Sequence, residues 1–379
     1  MLFAYVFDIT SSKTKIPSAI LLLALGFTVR KVSQYFGQPV PNLSPILPAL
    51  GTIGLILIVL EGSLELELNK LKLRLIVNSS LLALLTMLLL SFVLAYAFHY
   101  YGNTSFKTGL VNAIPFAVIS SAIAIPSARN LLSKNKEFVT YESSLSDIFG
   151  VLFFNFMTLN DNIGGQTFGH FFLEIIAMLI VSFGSTLALA FLLHRIKHHI
   201  KFAPIILLIV LIYALSKLYH LPALIFILFF GLFINNIDEL RNYKFIQQFH
   251  PINFSREVHK FKELITEMTF LIRALFFLLF GYLIKLSELL NMETIVWAAF
   301  ITIGIFIVRL LFLKMFKFSA NPLLYIAPRG LITILLFLSI PSGQIISIAN
   351  KSLIIQVIVL TSLVMMTGLM KHKTEKPEK

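Results

Sequence analysis

The chain has 379 residues, of which 58% are hydrophobic and only 13% charged, and its mean hydropathy is +0.89. This composition lies outside the soluble globular range and indicates a protein that crosses a membrane several times. The absence of cysteine excludes disulfides and thiolate chemistry. The net charge of +13 is carried by short basic clusters between apolar runs, where membrane topology places them, so we expect no nucleic-acid partner.

Twelve apolar windows are long enough to span a bilayer. They fall at roughly 16–32, 45–62, 73–99, 106–128, 138–158, 168–193, 202–219, 221–236, 262–284, 293–313, 320–341 and 351–370. Before them, residues 2–9 are apolar but too short to span, and we interpret them as an abbreviated or truncated span in preference to an interfacial anchor or a signal sequence. The sequence therefore predicts an all-α polytopic membrane protein with 12–13 transmembrane helices.

The lysines and arginines are distributed unevenly between the two sides of this scheme. Of the 31, 22 fall on one side, six on the other, and three within or at the ends of spans. The side with few basic residues holds Arg30, Lys31, Lys107, Lys217, Lys285 and Lys351. Because cytoplasmic loops carry the excess of lysine and arginine, we predict a cytoplasmic C-terminus in a plasma or inner membrane.

No soluble domain interrupts the spans, so residues 1–370 are predicted to form a single membrane domain. The longest connection, 236–261, mixes polar and apolar residues and is expected to lie along the cytoplasmic surface as an amphipathic segment. Residues 371–379 form a short charged tail that we expect to be solvated.

Two carboxylates interrupt one of the apolar windows, in the sequence Glu142-Ser-Ser-Leu-Ser-Asp147. A charged group inside the membrane is costly and is commonly functional. Because Asp147 is followed by an apolar run, its ionised form requires a cation, a water-filled crevice or a proton. We interpret Asp147 as a group that binds a proton and a metal ion in competition. The structural alternative is a carboxylate paired with an arginine.

Helical geometry separates the two carboxylates. At 100° per residue, Ser143 shares the face of Asp147, whereas Glu142 is rotated by about 140° from it. Ser143 is therefore a candidate oxygen ligand beside Asp147. Glu142 is expected to pair with a cation on another helix.

The window at 106–128 contains two prolines, Pro115 and Pro126, which bracket Ser120 and Ser121. Proline removes a helical hydrogen bond, so a break here would expose carbonyls and hydroxyls that can coordinate a small cation. We therefore expect both serines to lie at the ion site. The alternative is a simple kink.

The corresponding window of the second half, 320–341, is also interrupted by prolines and carries Arg329 near its middle. Two interrupted spans, each the last but one of its half, are typical of inverted repeats whose broken helices cross at a substrate site. Arg329 would supply a fixed positive charge there. Glu142 is its predicted partner.

Three other charged residues fall inside or at the ends of windows. Glu61 is either a further ion ligand or an interfacial acid. Arg273 is expected to have a structural role or to compensate charge. Arg309 is interpreted as part of a basic cytoplasmic edge whose side chains reach toward water.

The sequence offers no pattern for a catalytic or resident metal site. The nine histidines show no metal-ligand spacing, and neither a phosphate-binding glycine loop nor a nucleophile with a nearby base is present. We therefore predict no enzymatic activity and no cofactor.

The motif from Glu142 to Asp147 resembles the Glu-Ser-Leu-Leu-Asn-Asp motif of the monovalent cation:proton antiporter superfamily, the sodium/proton exchangers. Ala327-Pro-Arg-Gly-Leu331 resembles the arginine-glycine motif of their second crossing helix. Residues 15–27 and 55–68 resemble the second and third helices of that family. The resemblance covers nearly the whole chain in order.

This resemblance implies the sodium/proton antiporter fold, with inverted repeats, thirteen spans and the N-terminus outside. It implies a homodimer in the lipid bilayer, working by elevator-type alternating access. The implied ion-carrying core covers approximately 73–158 and 293–370, the dimerisation or scaffold helices 1–62 and 202–284, and the linker helix 168–193.

The resemblance also assigns roles to single residues. It implies that Asp147 is the essential carboxylate, that Ser143 and Glu61 are ion ligands, and that Glu142 and Arg329 form a structural ion pair. Two positions depart from the usual pattern: Ser146 replaces an asparagine or aspartate, and Ser120-Ser121 stand where many members have Thr-Asp.

With one carboxylate at the core, we expect electroneutral exchange of a monovalent cation for a proton. Na⁺ is the first choice, with K⁺ and Li⁺ permitted by a serine-rich site. The alternatives are a K⁺/H⁺ antiporter of the same fold, and a non-transporting membrane scaffold or sensor.

Overall fold

The computed structural model describes residues 2–14, 16–37, 41, 43, 45–67, 72–160, 164–195, 202–219, 221, 223–237 and 251–371. Within these residues the chain is helical and contains no strand. The helices are α1 (Leu2–Thr14), α2 (Ser18–Tyr35), α3 (Ile46–Glu65), α4 (Leu73–Gly102), α5 (Phe106–Ala117), α6 (Ser121–Ser127), α7 (Ser133–Leu159), α8 (Gly165–Arg195), α9 (Phe202–Leu218), α10 (Leu224–Asn235), α11 (Pro251–Leu283), α12 (Leu286–Leu289), α13 (Met292–Met315), α14 (Leu331–Leu338) and α15 (Lys351–Lys371). Short 3₁₀ turns lie at Leu323–Tyr325 and Ser342–Gln344.

Among the described residues, seven helical segments are long and apolar enough to cross a membrane. They are Ile46–Glu65, Leu73–Gly102, Phe106–Ser127, Gly165–Leu192, Arg256–Leu283, Met292–Met315 and Lys351–Lys371. Shorter apolar helices occur at Leu2–Ser11, Phe202–Leu218 and Leu224–Asn235. The protein is therefore a multi-pass membrane protein, as predicted. The predicted span at 320–341 is not among these seven helical segments, because it forms a turn, an extended segment and the short helix α14.

Side-chain caps mark the beginning of two helices, α5 and α13. The Ser105 hydroxyl accepts a hydrogen bond from the Thr108 amide at 3.1 Å at the start of α5. The Asn291 side chain accepts one from the Glu293 amide at 3.0 Å at the start of α13. Each cap satisfies an amide that has no partner within its own helix.

Helices α2 and α11 approach each other through two glycines. A Cβ added at Gly26 would lie 2.1 Å from the Leu278 carbonyl oxygen, and one added at Gly281 would lie 2.2 Å from the Leu23 carbonyl oxygen. Small residues allow such backbone-to-backbone packing, which is a common way for membrane helices to associate. Any larger residue at either position would force the two helices apart.

The chain divides into two compact units. The first comprises 1–52, 75–158 and 271–379, and it contains both interrupted spans. The second comprises 53–74 and 159–270, within which α8, α9 and α10 pack against one another. The division into core, dimerisation and linker helices stays a prediction.

Two predicted segments lie partly or mostly outside the described residues. These are the amphipathic connection, of which 238–250 is not described, and the charged tail, of which 372–379 is not described. Residues 2–9 belong to α1, which packs against α2.

Candidate functional site

The two interrupted spans cross at extended segments. In the first, residues 118–120 are extended between α5 and α6. In the second, residues 326–330 have no helical structure and lead into α14. The amide of Ser120 donates a hydrogen bond to the carbonyl oxygen of Pro328 at 2.9 Å. The predicted crossing of two broken helices is therefore present and is joined by main-chain atoms.

Arg329 binds the carbonyl end of α5. Its guanidinium donates to the carbonyl oxygens of Phe116 at 2.7 Å, Ala117 at 3.2 Å and Ala327 at 2.9 Å. The last carbonyls of a helix have no partner within it and carry partial negative charge. The buried cation from the second interrupted span therefore caps the first.

Glu142 pairs with Arg309, and not with Arg329 as predicted. The guanidinium of Arg309 donates to the two carboxylate oxygens at 2.5 and 2.8 Å, and both side chains are only 1% exposed. Its Nε also donates to the Leu323 carbonyl at 2.8 Å. The predicted Glu142–Arg329 pair is wrong because the Arg329 donors are bound by main-chain carbonyls. The interpretation of Arg309 as a water-reaching edge residue is also wrong, since this side chain is buried.

Asp147 is equally buried but has a different environment. One carboxylate oxygen, Oδ2, accepts hydrogen bonds from the Ser121 hydroxyl and from the Ser121 amide, the latter at 3.3 Å. The other oxygen, Oδ1, has no hydrogen-bond partner within the described part of the chain. Sequence reasoning placed Asp147 and Ser121 in one site, and the structure brings them into direct contact.

Ser120 contributes a second unpartnered oxygen at the crossing. Its Oγ is buried and makes no hydrogen bond with any described residue. Gly330 lies against it, because a Cβ added there would be 2.9 Å from this Oγ and 2.7 Å from Cδ1 of Ile123. Buried polar atoms are normally paired, and two oxygens without a partner among the described residues, Ser120 Oγ and Asp147 Oδ1, belong to this crossing.

Two of the three serines of the motif, Ser143 and Ser146, have defined contacts. The Ser143 hydroxyl donates to the Val139 carbonyl at 2.7 Å, which leaves its oxygen lone pairs available, and its role as an ion ligand stays a prediction. The Ser146 hydroxyl accepts from the Ile119 amide at 3.0 Å. The residue that departs from the family motif therefore positions the extended segment, a function that the sequence alone did not reveal.

Arg273 and Glu61 lie in different units. The guanidinium of Arg273, half-buried on α11, donates to the Ala122 carbonyl at 3.3 Å, one residue beyond Ser121. Glu61 is half-buried on α3 in the second unit, and its role as a ligand stays a prediction.

The arrangement can exchange one small positive ion for another. A buried carboxylate with one unpartnered oxygen can accept a proton or a cation, and hydroxyl and carbonyl oxygens are the ligands that hard cations prefer. No group of three or more histidine, cysteine, aspartate or glutamate side chains suited to a resident metal occurs in the described ranges.

These features define a polytopic helical membrane protein with two crossing interrupted helices and a buried carboxylate beside them. The family model for the sodium/hydrogen exchanger transmembrane region matches residues 1–371, so the chain belongs to that family. A search of curated protein sequences gave no match.

Two solved structures of the sodium proton antiporter MjNhaP1 from Methanocaldococcus jannaschii are similar to this chain. The structure at pH 8 has 18% sequence identity and a TM-score of 0.67, covering 97% of this chain and 93% of that one. The electron-microscopy map has 19% identity and a TM-score of 0.71, covering 100% and 97%. The sodium/proton antiporter fold predicted from the motifs is confirmed.

Proposed function

We propose that the protein is a secondary-active antiporter that exchanges a monovalent cation, Na⁺ in the first instance, for H⁺ at Asp147. The observation that carries this proposal is the carboxylate itself. It is buried, one of its oxygens is bound by Ser121, and the other has no partner among the described residues. Membership of the sodium/hydrogen exchanger family supports the same function.

The exchange is a competition for one negative charge. A cation bound at Asp147 neutralises the carboxylate, and so does a proton, so each must leave before the other binds. Glu142 takes no part because both of its oxygens are bound by Arg309. One proton then replaces one cation without changing the charge of the site, which makes the exchange electroneutral.

Bonds between the elements that surround the site support elevator-type movement. Main-chain bonding joins Ser120 to Pro328, Arg329 binds the end of α5, and the ion pair Glu142–Arg309 joins α7 to α13. Because these bonds connect the elements around Asp147, the site is expected to move as one body across the membrane.

Membrane orientation and assembly belong to the same proposal. The excess of lysine and arginine on one side supports a cytoplasmic C-terminus in the plasma or inner membrane. A homodimer follows from the family resemblance. Cross-linking of the purified protein in bilayers tests it, and a single monomeric band at every cross-linker concentration would count against it.

The proposal is tested with purified full-length protein in proteoliposomes that contain a pH-sensitive dye. Addition of Na⁺, Li⁺ or K⁺ outside should produce a cation-dependent pH change. Asp147→Asn is expected to abolish it, because the amide carries no exchangeable charge. Glu137→Gln removes a carboxylate from the same helix outside the site and is the matched control, expected to retain exchange.

Each alternative has a distinct outcome. Undiminished exchange by Asp147→Asn would refute the proposed carrier. A signal driven by K⁺ alone would identify a K⁺/H⁺ antiporter, and no signal with any cation would favour a non-transporting scaffold or sensor. Rates that change when the membrane potential is clamped at different values would refute electroneutrality.

A further inference from the structure

A cavity of about 460 Å³ lies within the first unit, and its lining includes none of the residues assigned to ion exchange. It is bordered by the end of α11, by α14, and by residues from α2, α3 and α15. Its volume falls within the range of pockets that hold small molecules. Its lining combines basic and hydrophobic side chains, which we call the cationic wall and the apolar wall.

Three basic residues form the cationic wall: Arg30, Lys285 and Lys351. Glu288 is the acidic residue of the lining, which leaves two positive charges in excess. All three basic residues belong to the six that the charge count assigns to the outer side, where lysine and arginine are sparse. Half of the basic residues of that side therefore meet at one cavity.

Arg30 and Lys351 make contacts within the protein, whereas Lys285 is available to bind a ligand. Arg30 donates through one nitrogen to the Tyr282 and Ile284 carbonyls at 3.3 and 3.5 Å, and Lys351 pairs with Glu288 at 3.1 Å. Lys351 also donates to the Leu283 carbonyl at 2.9 Å, so both cations are held at the end of α11. Lys285 is exposed, and its ammonium group forms no ion pair within the described part of the chain.

The apolar wall comes from hydrophobic side chains. Phe280 and Leu283 line it from α11, Phe337 and Leu338 from α14, and Ile354 from α15. A free inorganic anion would use the cationic wall and leave this surface without a partner. The lining is complementary to a molecule with a negative head and a hydrocarbon tail.

We propose that this cavity binds an anionic phospholipid of the outer leaflet, with the headgroup phosphate at Arg30, Lys285 and Lys351 and an acyl chain against Phe337 and Leu338. Arginine and lysine are the side chains that bind phosphate through charge-assisted hydrogen bonds. The proposal is independent of ion exchange, since none of these residues belongs to the Asp147 site.

The test measures lipid retained by the full-length protein in a neutral detergent, using native mass spectrometry. The protein is mixed with equal amounts of dioleoylphosphatidylglycerol and dioleoylphosphatidylcholine. The wild type should retain the anionic lipid at least about five-fold in excess, since each nearby basic residue contributes about that factor. Lys285→Gln should lose about five-fold of bound phosphatidylglycerol. Lys217→Gln, which removes an exposed lysine of the same predicted side outside the cavity lining, should lose none.

Two further arms identify the source of the phosphate. Leu338→Asn leaves the cationic wall of the cavity unchanged and should nevertheless release bound lipid. Excess inorganic phosphate added to the wild type should leave the lipid bound. Complete displacement by inorganic phosphate would show a free-anion site and overturn the lipid assignment. Equal retention of the two lipids, or identical losses in Lys285→Gln and Lys217→Gln, would overturn it as well. Size-exclusion profiles confirm that each variant is folded.

Discussion

Helix α7 carries two carboxylates that are equally buried and about one and a half turns apart, yet they have opposite surroundings. Both oxygens of Glu142 are bound by the guanidinium of Arg309. Asp147 is held through one oxygen by the neutral Ser121, and its other oxygen has no partner in the described residues. Burial alone therefore does not distinguish a carboxylate paired with an arginine from one that has no such partner among the described residues.

The difference lies in where the compensating charge comes from. Glu142 has a permanent cation in the protein, so its charge is balanced throughout. Among the described residues, Asp147 accepts hydrogen bonds from Ser121 and forms no ion pair, so under the proposed function its compensating cation or proton comes from solution. The first of three predictions tests this contrast directly and the other two test the main-chain crossing that positions Asp147, from the largest expected effect to the smallest.

Arg309→Gln should destabilise the protein by about 3–5 kcal/mol, because it leaves the carboxylate of Glu142 buried without a compensating charge. The measurement is unfolding of the purified protein in detergent. The double variant Glu142→Gln/Arg309→Gln should recover much of the loss. Asp147→Asn should cost little, since an amide oxygen still accepts from Ser121. Equal destabilisation by Arg309→Gln and Asp147→Asn would contradict the contrast.

Gly330→Ala should cost about 1–3 kcal/mol, because the added Cβ would overlap Ile123 and Ser120 at the crossing. Cation-driven exchange should fall as well, since Ser120 precedes the residue that binds Asp147. Gly343→Ala is the control, because a Cβ there meets no atom within 4 Å. Unfolding and transport are measured on both variants, and the interpretation fails if the two behave alike.

Ser146→Ala should have the smallest effect, about 1 kcal/mol, because the buried Ile119 amide loses its acceptor. Ser144→Ala removes a hydroxyl that has no partner among the described residues and should be nearly neutral. Hydrogen exchange at Ile119 gives a local measurement, and it should become faster only in Ser146→Ala. Unchanged protection of the Ile119 amide in Ser146→Ala would contradict the role assigned to Ser146.

The fold could be predicted because the sequence patterns that indicate it each lie within a single helix or window. Apolar length indicated the membrane helices, and paired prolines at 115 and 126 indicated the first interruption. Helical rotation also predicted correctly that Glu142 and Asp147 have different partners. These inferences need only the spacing of residues along one helix.

The partner of Glu142 could not be predicted in the same way. Arg309 stands near Lys314 and Lys317 in the sequence, so its position suggested an exposed edge, and only the packing of α13 reveals that it is buried. Arg329 looked available because its acceptors, the Phe116 and Ala117 carbonyls, are main-chain atoms with no signature in the side-chain sequence.

The hydrogen bond between Ser120 and Pro328 tolerates most changes of sequence at these two positions. Both of its atoms belong to the main chain, so among single substitutions only proline at position 120 would delete the donor outright. This bond therefore does not depend on the chemistry of the two side chains. The chain is similar in fold to the two MjNhaP1 structures at only 18–19% sequence identity.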